Sequence, residues 1–249
     1  MKEQKSSRAR ISAASGRRTD RMKYLNEKMQ PYLEELRAKK AAPGGGAAAA
    51  LTAAQGAALT MMAAEYTIGN EKYKAFEDKC IGARANSSYI YMNLCMAIDQ
   101  DAEAYQKVAA AKALPRDTEE EVLFRDTALE KAYEDALLVP FKVMRLCEQG
   151  LNAASFMIGA CNPNIESDLA SAILLLAAGM RMSWMNVLMN LPYYKDEVQK
   201  DVIRKECTVL LRYTKKIEEQ AEEAGIFPDF APLTEDDEVQ KILEAAGLA

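Results

Sequence analysis

The chain has 249 residues and not one histidine. That removes the side chain that most often serves as a catalytic base near neutral pH and most often ligates metals. Any proton transfer therefore falls to Asp, Glu, Lys, Tyr or Cys, and no metal site is expected. Cysteine is scarce and scattered. Cys80, Cys95, Cys147, Cys161 and Cys207 lie at least fourteen residues apart, with no CxxC pair. An odd number at such spacing excludes a disulfide scaffold and fits a reducing compartment, so a cytoplasmic location is expected. Long apolar runs are missing too. The most apolar stretch, Leu169 to Met180, is twelve residues long and is stopped by Arg181. A span needs about 20 such residues, so no membrane partner is expected.

What the chain does have is alanine, leucine and methionine, with 49% hydrophobic residues and few glycines or β-branched residues. This composition excludes a largely disordered protein and favours helix almost throughout. The expected fold is all-α, an elongated bundle of long antiparallel helices. Apolar periodicity and breakers predict helices over 22–39, 46–67, 71–113, 118–148 with a kink at Pro140, 151–160, 167–191 and 195–224. Residues 1–21 read as a disordered basic arm, 22–224 as one helical domain, and 225–249 as an extended strap followed by a short helix. Charge is uneven. The first 23 residues hold eight Lys/Arg against Glu3 and Asp20, a local +6 that leaves −11 on the remainder. So acidic a body argues against a nucleic-acid partner.

One turn stands out. Residues 42–59 read APGGGAAAALTAAQGAAL, with Gly44, Gly45 and Gly46 opening an Ala-rich helix. The first N–H groups of such a helix point, partially positive, at whatever sits in the turn. The stretch is thus either a cradle for an anion or polar ligand, or a tight turn that allows close helix packing through Gly46, Ala50, Ala54 and Ala58. It lacks the Lys-Ser/Thr ending of a P-loop. Lys72 and Lys74 read as a solvated helix start, or as cations for a ligand at this turn.

Two further constellations carry possible chemistry. In AIDQDAEAY, steps of three and four from Asp101 give Leu94, Ile98, Tyr105 and Val108, an apolar stripe with one carboxylate set into it. Asp99 falls on a more mixed face. A carboxylate on a core stripe is costly unless partnered, and desolvation raises its pKa toward the range useful for proton transfer. It is either a proton carrier or a buried acid satisfied by a base or a helix N-terminus. On helix 167–191, Asp168, Gly179, Ser183, Asn186 and Asn190 share a stripe. Asp168 suits the first turn of that helix. Asn186 and Asn190 need amide partners among Met, Leu and Trp, as interhelical contacts or as ligand contacts.

APGGGAAAAL, TIGNEKY, DQDAEAY ending in LP, ALLVP, NPNIESDL and MNVLMNL occur in an order that resembles the formimidoyltetrahydrofolate cyclodeaminase / methenyltetrahydrofolate cyclohydrolase family over residues 22–224. The resemblance implies an all-α homodimer acting on a tetrahydrofolate that carries a one-carbon unit, with no cofactor beyond that substrate. It implies Asp101, the second Asp of D-x-D-A, as the catalytic acid/base. Gly44, Gly45, Gly46, Asn162, Asp168, Asn186 and Asn190 then become the expected substrate-binding residues. The expected reaction is cyclodeamination of 5-formiminotetrahydrofolate with loss of ammonia; the alternatives are hydrolysis of the 5,10-methenyl form and, as a non-enzymatic reading, a folate-binding helical protein. This chain departs from the family pattern at Ala47-Ala48, where Ser-Val is usual, at Cys161-Asn162, where Gly-Asn is usual, and at Asn70, where a base is usual.

Overall fold

The computed structural model describes residues 29–227, so the basic arm, the start of helix 22–39, the strap beyond Phe227 and the final helix lie outside the described residues. Within them the chain is helical and without strands. A short helix α1 (Met29–Leu36) leads through a cis Ala42–Pro43 peptide into α2 (Gly45–Glu65). Then come a 3-10 turn (Glu71–Phe76), α3 (Glu77–Lys112), α4 (Glu119–Ser155), α5 (Glu166–Asn190) and α6 (Glu197–Glu223).

Local chemistry sets most of these boundaries. Thr118 accepts from the Glu121 N–H while the Glu121 carboxylate returns to the Thr118 N–H, a reciprocal cap that starts α4 where three consecutive acids favour a helix N-terminus. Asp196 caps α6 through the Gln199 N–H. At the other end Gly225, with φ of 73°, reverses the chain while its N–H and that of Ile226 close back on Glu222 and Ala221.

Two expected boundaries moved. Residues 71–76 form a separate 3-10 turn, bent at Tyr73, and α3 begins only at Glu77. The short helix expected over 151–160 is instead the end of α4, which runs through Gly150 and Pro140 to Ser155. Gly150 lies inside α4, where it faces Leu176 of α5. A Cβ there would lie 2.8 Å from Leu176 Cδ2 on α5.

Helix α2 is apolar on all sides and sits in the middle, packed by α3, α4 and α5. Its approach to α5 is closest away from the expected stripe through Gly46, Ala50, Ala54 and Ala58. Gly56 faces the Ala172 carbonyl and Leu176, and Gly179 faces Ala53 and the Ala49 carbonyl. Ile90 and Leu94 of α3, Leu137, Met144 and Leu151 of α4, and Ile173, Leu176 and Met180 of α5 complete the main core. Helix α6 is peripheral. It buries one stripe, Ile203, Cys207, Leu210, Thr214, Ile217 and Ala221, and is tied to its neighbours by Arg145–Glu206 and Arg181–Glu218 ion pairs. All five cysteines are buried and free.

The expectation that nothing is long enough to span a membrane needs correcting in one respect. By length and composition alone, α2 and the stretch Pro163–Tyr193 would qualify. Both sit in the helical core, where a similarly apolar surface is required.

Because the Ala172 carbonyl is main chain and cannot rotate aside, Gly56→Ala should lose more to overpacking (about 1–3 kcal/mol) than it gains in helix propensity (about 1 kcal/mol). Thermal denaturation should show a lowered Tm; a raised Tm would refute the close-approach account.

Candidate functional site

The glycine turn, the last third of α3, the first half of α4 and the end of α5 surround a cavity of about 340 Å³. Its floor is a small second cluster in which alanines, Ala104, Ala132 and Ala136 among them, let α3 and α4 approach closely. Asp101 enters it from α3, Gly44–Gly46 from the start of α2, Tyr133 from α4, and Asn186 and Asn190 from α5.

Asp101 is where the sequence stripe placed it. Its Oδ2 accepts the Ala47 N–H at 2.9 Å. The N-cap of α2 is Gly44, which has no side chain to satisfy the helix's first N–H groups, so a carboxylate from another helix does so. The partially positive end of α2 therefore holds an anion belonging to the protein. This differs from the expectation that the turn cradles a ligand anion, and it matches the alternative of an acid satisfied by a helix N-terminus. Of the three glycines, only Gly46 is required for space. A Cβ there would fall on Asp101 Oδ1, 2.5 Å from its carboxyl carbon, whereas one on Gly45 would meet only Asn186 at 3.7 Å and one on Gly44 nothing. Burial pushes the Asp101 pKa above the ordinary carboxylate value, and the weaker effect of the Ala47 hydrogen bond pulls it back. Asp99, expected on a mixed face, is in fact the more deeply buried of the two at 6% exposure, and it does not line the cavity.

Both asparagines of α5 reach the cavity, and each has its amide orientation fixed by the main chain. Asn186 Nδ2 donates to the Met182 carbonyl at 2.9 Å, and Asn190 Nδ2 donates to the Ala136 carbonyl at 2.8 Å. The second bond has a cause in the sequence. Pro140 lacks an N–H, so the carbonyl four residues earlier, Ala136, has no intrahelical donor. Asn190 supplies one from α5. With both NH₂ groups directed at carbonyls, the side-chain oxygens remain as acceptors for a ligand. Beside them Tyr193, in the 3-10 turn after α5, stacks on Tyr133 with ring centroids 4.4 Å apart and planes 8° from parallel. Neither tyrosine was among the residues singled out from sequence. The aromatic pair joins two helices 60 residues apart, and no local pattern signals it.

The remaining expected residues lie elsewhere. Asn162 caps the turn before α5, accepting from Asn164 and donating to the Tyr66 carbonyl past the far end of α2. Asp168, in the first turn of α5, is 18 residues from Asn186, roughly 27 Å along the helix. Within one chain neither meets the cavity, which brings together five of the seven expected binding residues, Gly44, Gly45, Gly46, Asn186 and Asn190. Lys72 and Lys74 also lie past the far end of α2, where Lys74 pairs with Glu77. Asn70 there caps the 3-10 turn through the Lys72 N–H. The thiols offer no nucleophile, since burial raises Cys207 to about 12 and Cys161 to about 11. Among the described residues no cluster of acids and cysteines could hold a metal.

Residues 28–209 match the family model described as Formiminotransferase-cyclodeaminase. The chain is 32% identical over 165 residues to the methenyltetrahydrofolate cyclohydrolase of Methylorubrum extorquens, covering 66% of this chain and 79% of that protein. It is 31% identical over 191 residues to the formimidoyltransferase-cyclodeaminase of Rattus norvegicus, covering 77% of this chain and 35% of the rat protein, about a third of its length. The fold resembles that of the formiminotetrahydrofolate cyclodeaminase from Thermotoga maritima, with a TM-score of 0.65, 23% identity, and coverage of 89% of this chain and 98% of that one.

The Pro140 account makes a test of coupling. Asn190→Ala should cost about 1–3 kcal/mol by orphaning the Ala136 carbonyl. In a Pro140→Ala background the restored main-chain N–H should remove most of that cost, measured by chemical denaturation as a double-mutant cycle. Additive losses would refute it.

Proposed function

Since the chain belongs to the Formiminotransferase-cyclodeaminase family, we propose that it is an enzyme acting at the N5–N10 edge of a one-carbon tetrahydrofolate, with Asp101 as the proton carrier. The observation that carries this is the single raised-pKa carboxylate of the cavity, held on the Ala47 N–H with no histidine in the chain to share the task. The first reading is cyclodeamination. N10 attacks the formimino carbon, a tetrahedral adduct forms, and Asp101 takes the N10 proton. It then returns that proton to the departing nitrogen, which leaves as ammonia while the methenyl bridge closes. A carboxylate raised toward neutrality suits both halves of such a transfer. Asn186 and Asn190 offer side-chain acceptors to N–H groups of the substrate, and the glycine turn lets it approach the backbone closely. The chemistry needs only the folate and these residues.

A second reading, hydrolysis of 5,10-methenyltetrahydrofolate, is supported by the Methylorubrum extorquens cyclohydrolase, which this chain matches over most of that protein's length. Here Asp101 would deprotonate water as it adds to the methenyl carbon. Assaying purified protein with each folate, following methenyl absorbance and ammonia release, separates the two. Turnover of neither, with folate still bound, would favour a non-catalytic binder.

Asp101→Asn should lower kcat by at least about a hundredfold, yet leave the fold intact, because the amide oxygen can still accept the Ala47 N–H. Near-normal turnover would sink the assignment. In the wild type, kcat/KM should rise with pH along a limb displaced above the ordinary aspartate range. The Asp101 contribution to stability should run the opposite way. A raised folded-state pKa favours the protonated carboxyl, so that contribution is fullest at low pH and declines as pH climbs through the raised value. Glu206, held below its ordinary value by Arg145, contributes in the opposite sense, so the Asp101 effect is read as the difference between the wild type and Asp101→Asn. The Asn variant should lack both features.

Dimerisation belongs to the same proposal. Leu174, Met185 and Leu188 form an apolar stripe on the outer face of α5, 40–63% exposed, of the kind a second copy would cover. Sedimentation should give twice the chain mass of 27.5 kDa, and Met185→Glu should shift it toward the monomer. A wild-type protein that sediments as a monomer would remove this part.

A further inference from the structure

The cavity has a direction. Along one face of α3 it is lined by Asp101, Tyr105, Val108 and Lys112, positions that recur every three to four residues and so share a stripe. Asp101 is the single acid among its lining residues and Lys112 the single base. They lie three helical turns apart, roughly 16 Å along the axis. Between them the Tyr133–Tyr193 stack supplies a flat aromatic wall, and the Lys112 ammonium lies 5.7 Å from the Tyr133 ring centroid.

The charge on Lys112 is available. Three neighbouring lysines are engaged elsewhere: Lys107 with Asp135, Lys131 with Glu134, and Lys195 with Glu130. Lys112 forms no ion pair among the described residues. In a chain of net charge −5, an unpaired cation on the wall of an otherwise neutral cavity, opposite its one carboxylate, calls for an anion on the ligand. An aromatic ring carrying a carboxylate some way beyond it fits the order of groups: proton carrier, flat wall, cation.

We infer that Lys112 and the Tyr133–Tyr193 stack form the subsite for the p-aminobenzoyl-glutamate end of the substrate, with the aryl ring against the tyrosines and a glutamyl carboxylate on the ammonium. This rests on the folate reading above. It also bears on the departure at position 70. Asn70 caps a turn past the far end of α2, so within one chain a base there would not reach this cavity, and Lys112 provides the cation instead.

The test compares the folate substrate with the same compound carrying both glutamyl carboxylates as amides. For the wild type, KM should be roughly fivefold lower for the carboxylate form, a size suited to a partly exposed charge pair, with kcat similar. Lys112→Met, which keeps the apolar stem, should raise KM for the carboxylate form alone and abolish the difference. It should also flatten the rise of KM with ionic strength. If Lys112→Met raises KM equally for both compounds, or changes neither, the subsite is overturned while the folate reading stands. If the wild type turns over neither reduced folate, the folate reading falls and the subsite with it.

Discussion

The site depends on one hydrogen bond, from the Ala47 N–H to the Asp101 carboxylate. It joins the start of the central helix to the C-terminal half of α3. It gives an uncapped helix N-terminus its acceptor and gives a desolvated carboxylate its donor. The helix end stabilises the ionised acid, burial opposes ionisation, and burial wins. A carboxylate poised in this way is costly to the fold and useful to proton transfer. Gly46 makes it possible, since any side chain there would occupy the carboxylate's place.

A second compensation sits across the cavity. Pro140 denies α4 one donor, and Asn190 of α5 supplies it. The exchange costs little, because the orphaned carbonyl and the amide satisfy each other. It fixes the Asn190 side chain at the cavity wall and helps hold the end of α5, where Tyr193 turns onto Tyr133. Two apparent defects of the sequence, a helix without a cap residue and a helix with an internal proline, are each repaired by a side chain from another helix. Both repairs converge on the same space.

Much of the fold was legible because helix boundaries are written locally. The Thr118–Glu121 cap, the acids that follow Thr118, Asp196 and Gly225 all act within a few residues of themselves. The bend at Tyr73 within residues 71–76, a stretch without glycine, gives no signal in the helical periodicity, whereas the misreading at Gly150 has a tertiary origin. A glycine that breaks a helix and a glycine that admits a neighbour are the same residue in a sequence, and only Leu176 of another helix tells them apart. The candidate site was legible to a similar depth. Asp101 was marked by its stripe, and Asn186 and Asn190 by their isolation on an apolar helix. Asn162 was grouped with them by resemblance, which carries no distances, and Asp168 by a shared stripe on which it lies about five helical turns from Asn186. Tyr133, Tyr193 and Lys112 gave no signal, since an aromatic or a lysine at helical spacing looks like core or solvated face.

By itself the sequence determined the all-helical class, the family, and the absence of histidine that leaves proton transfer to a carboxylate. These follow from composition, period and ordered motifs, which are properties of the chain taken a few residues at a time. Tertiary structure alone decided what the glycine turn holds. Its helix end was legible as a site for an anion, but whether that anion came from a ligand or from the protein depended on α3 crossing at Gly46. Electrostatics fixes the demand locally, and only packing between segments far apart in sequence selects the group that meets it.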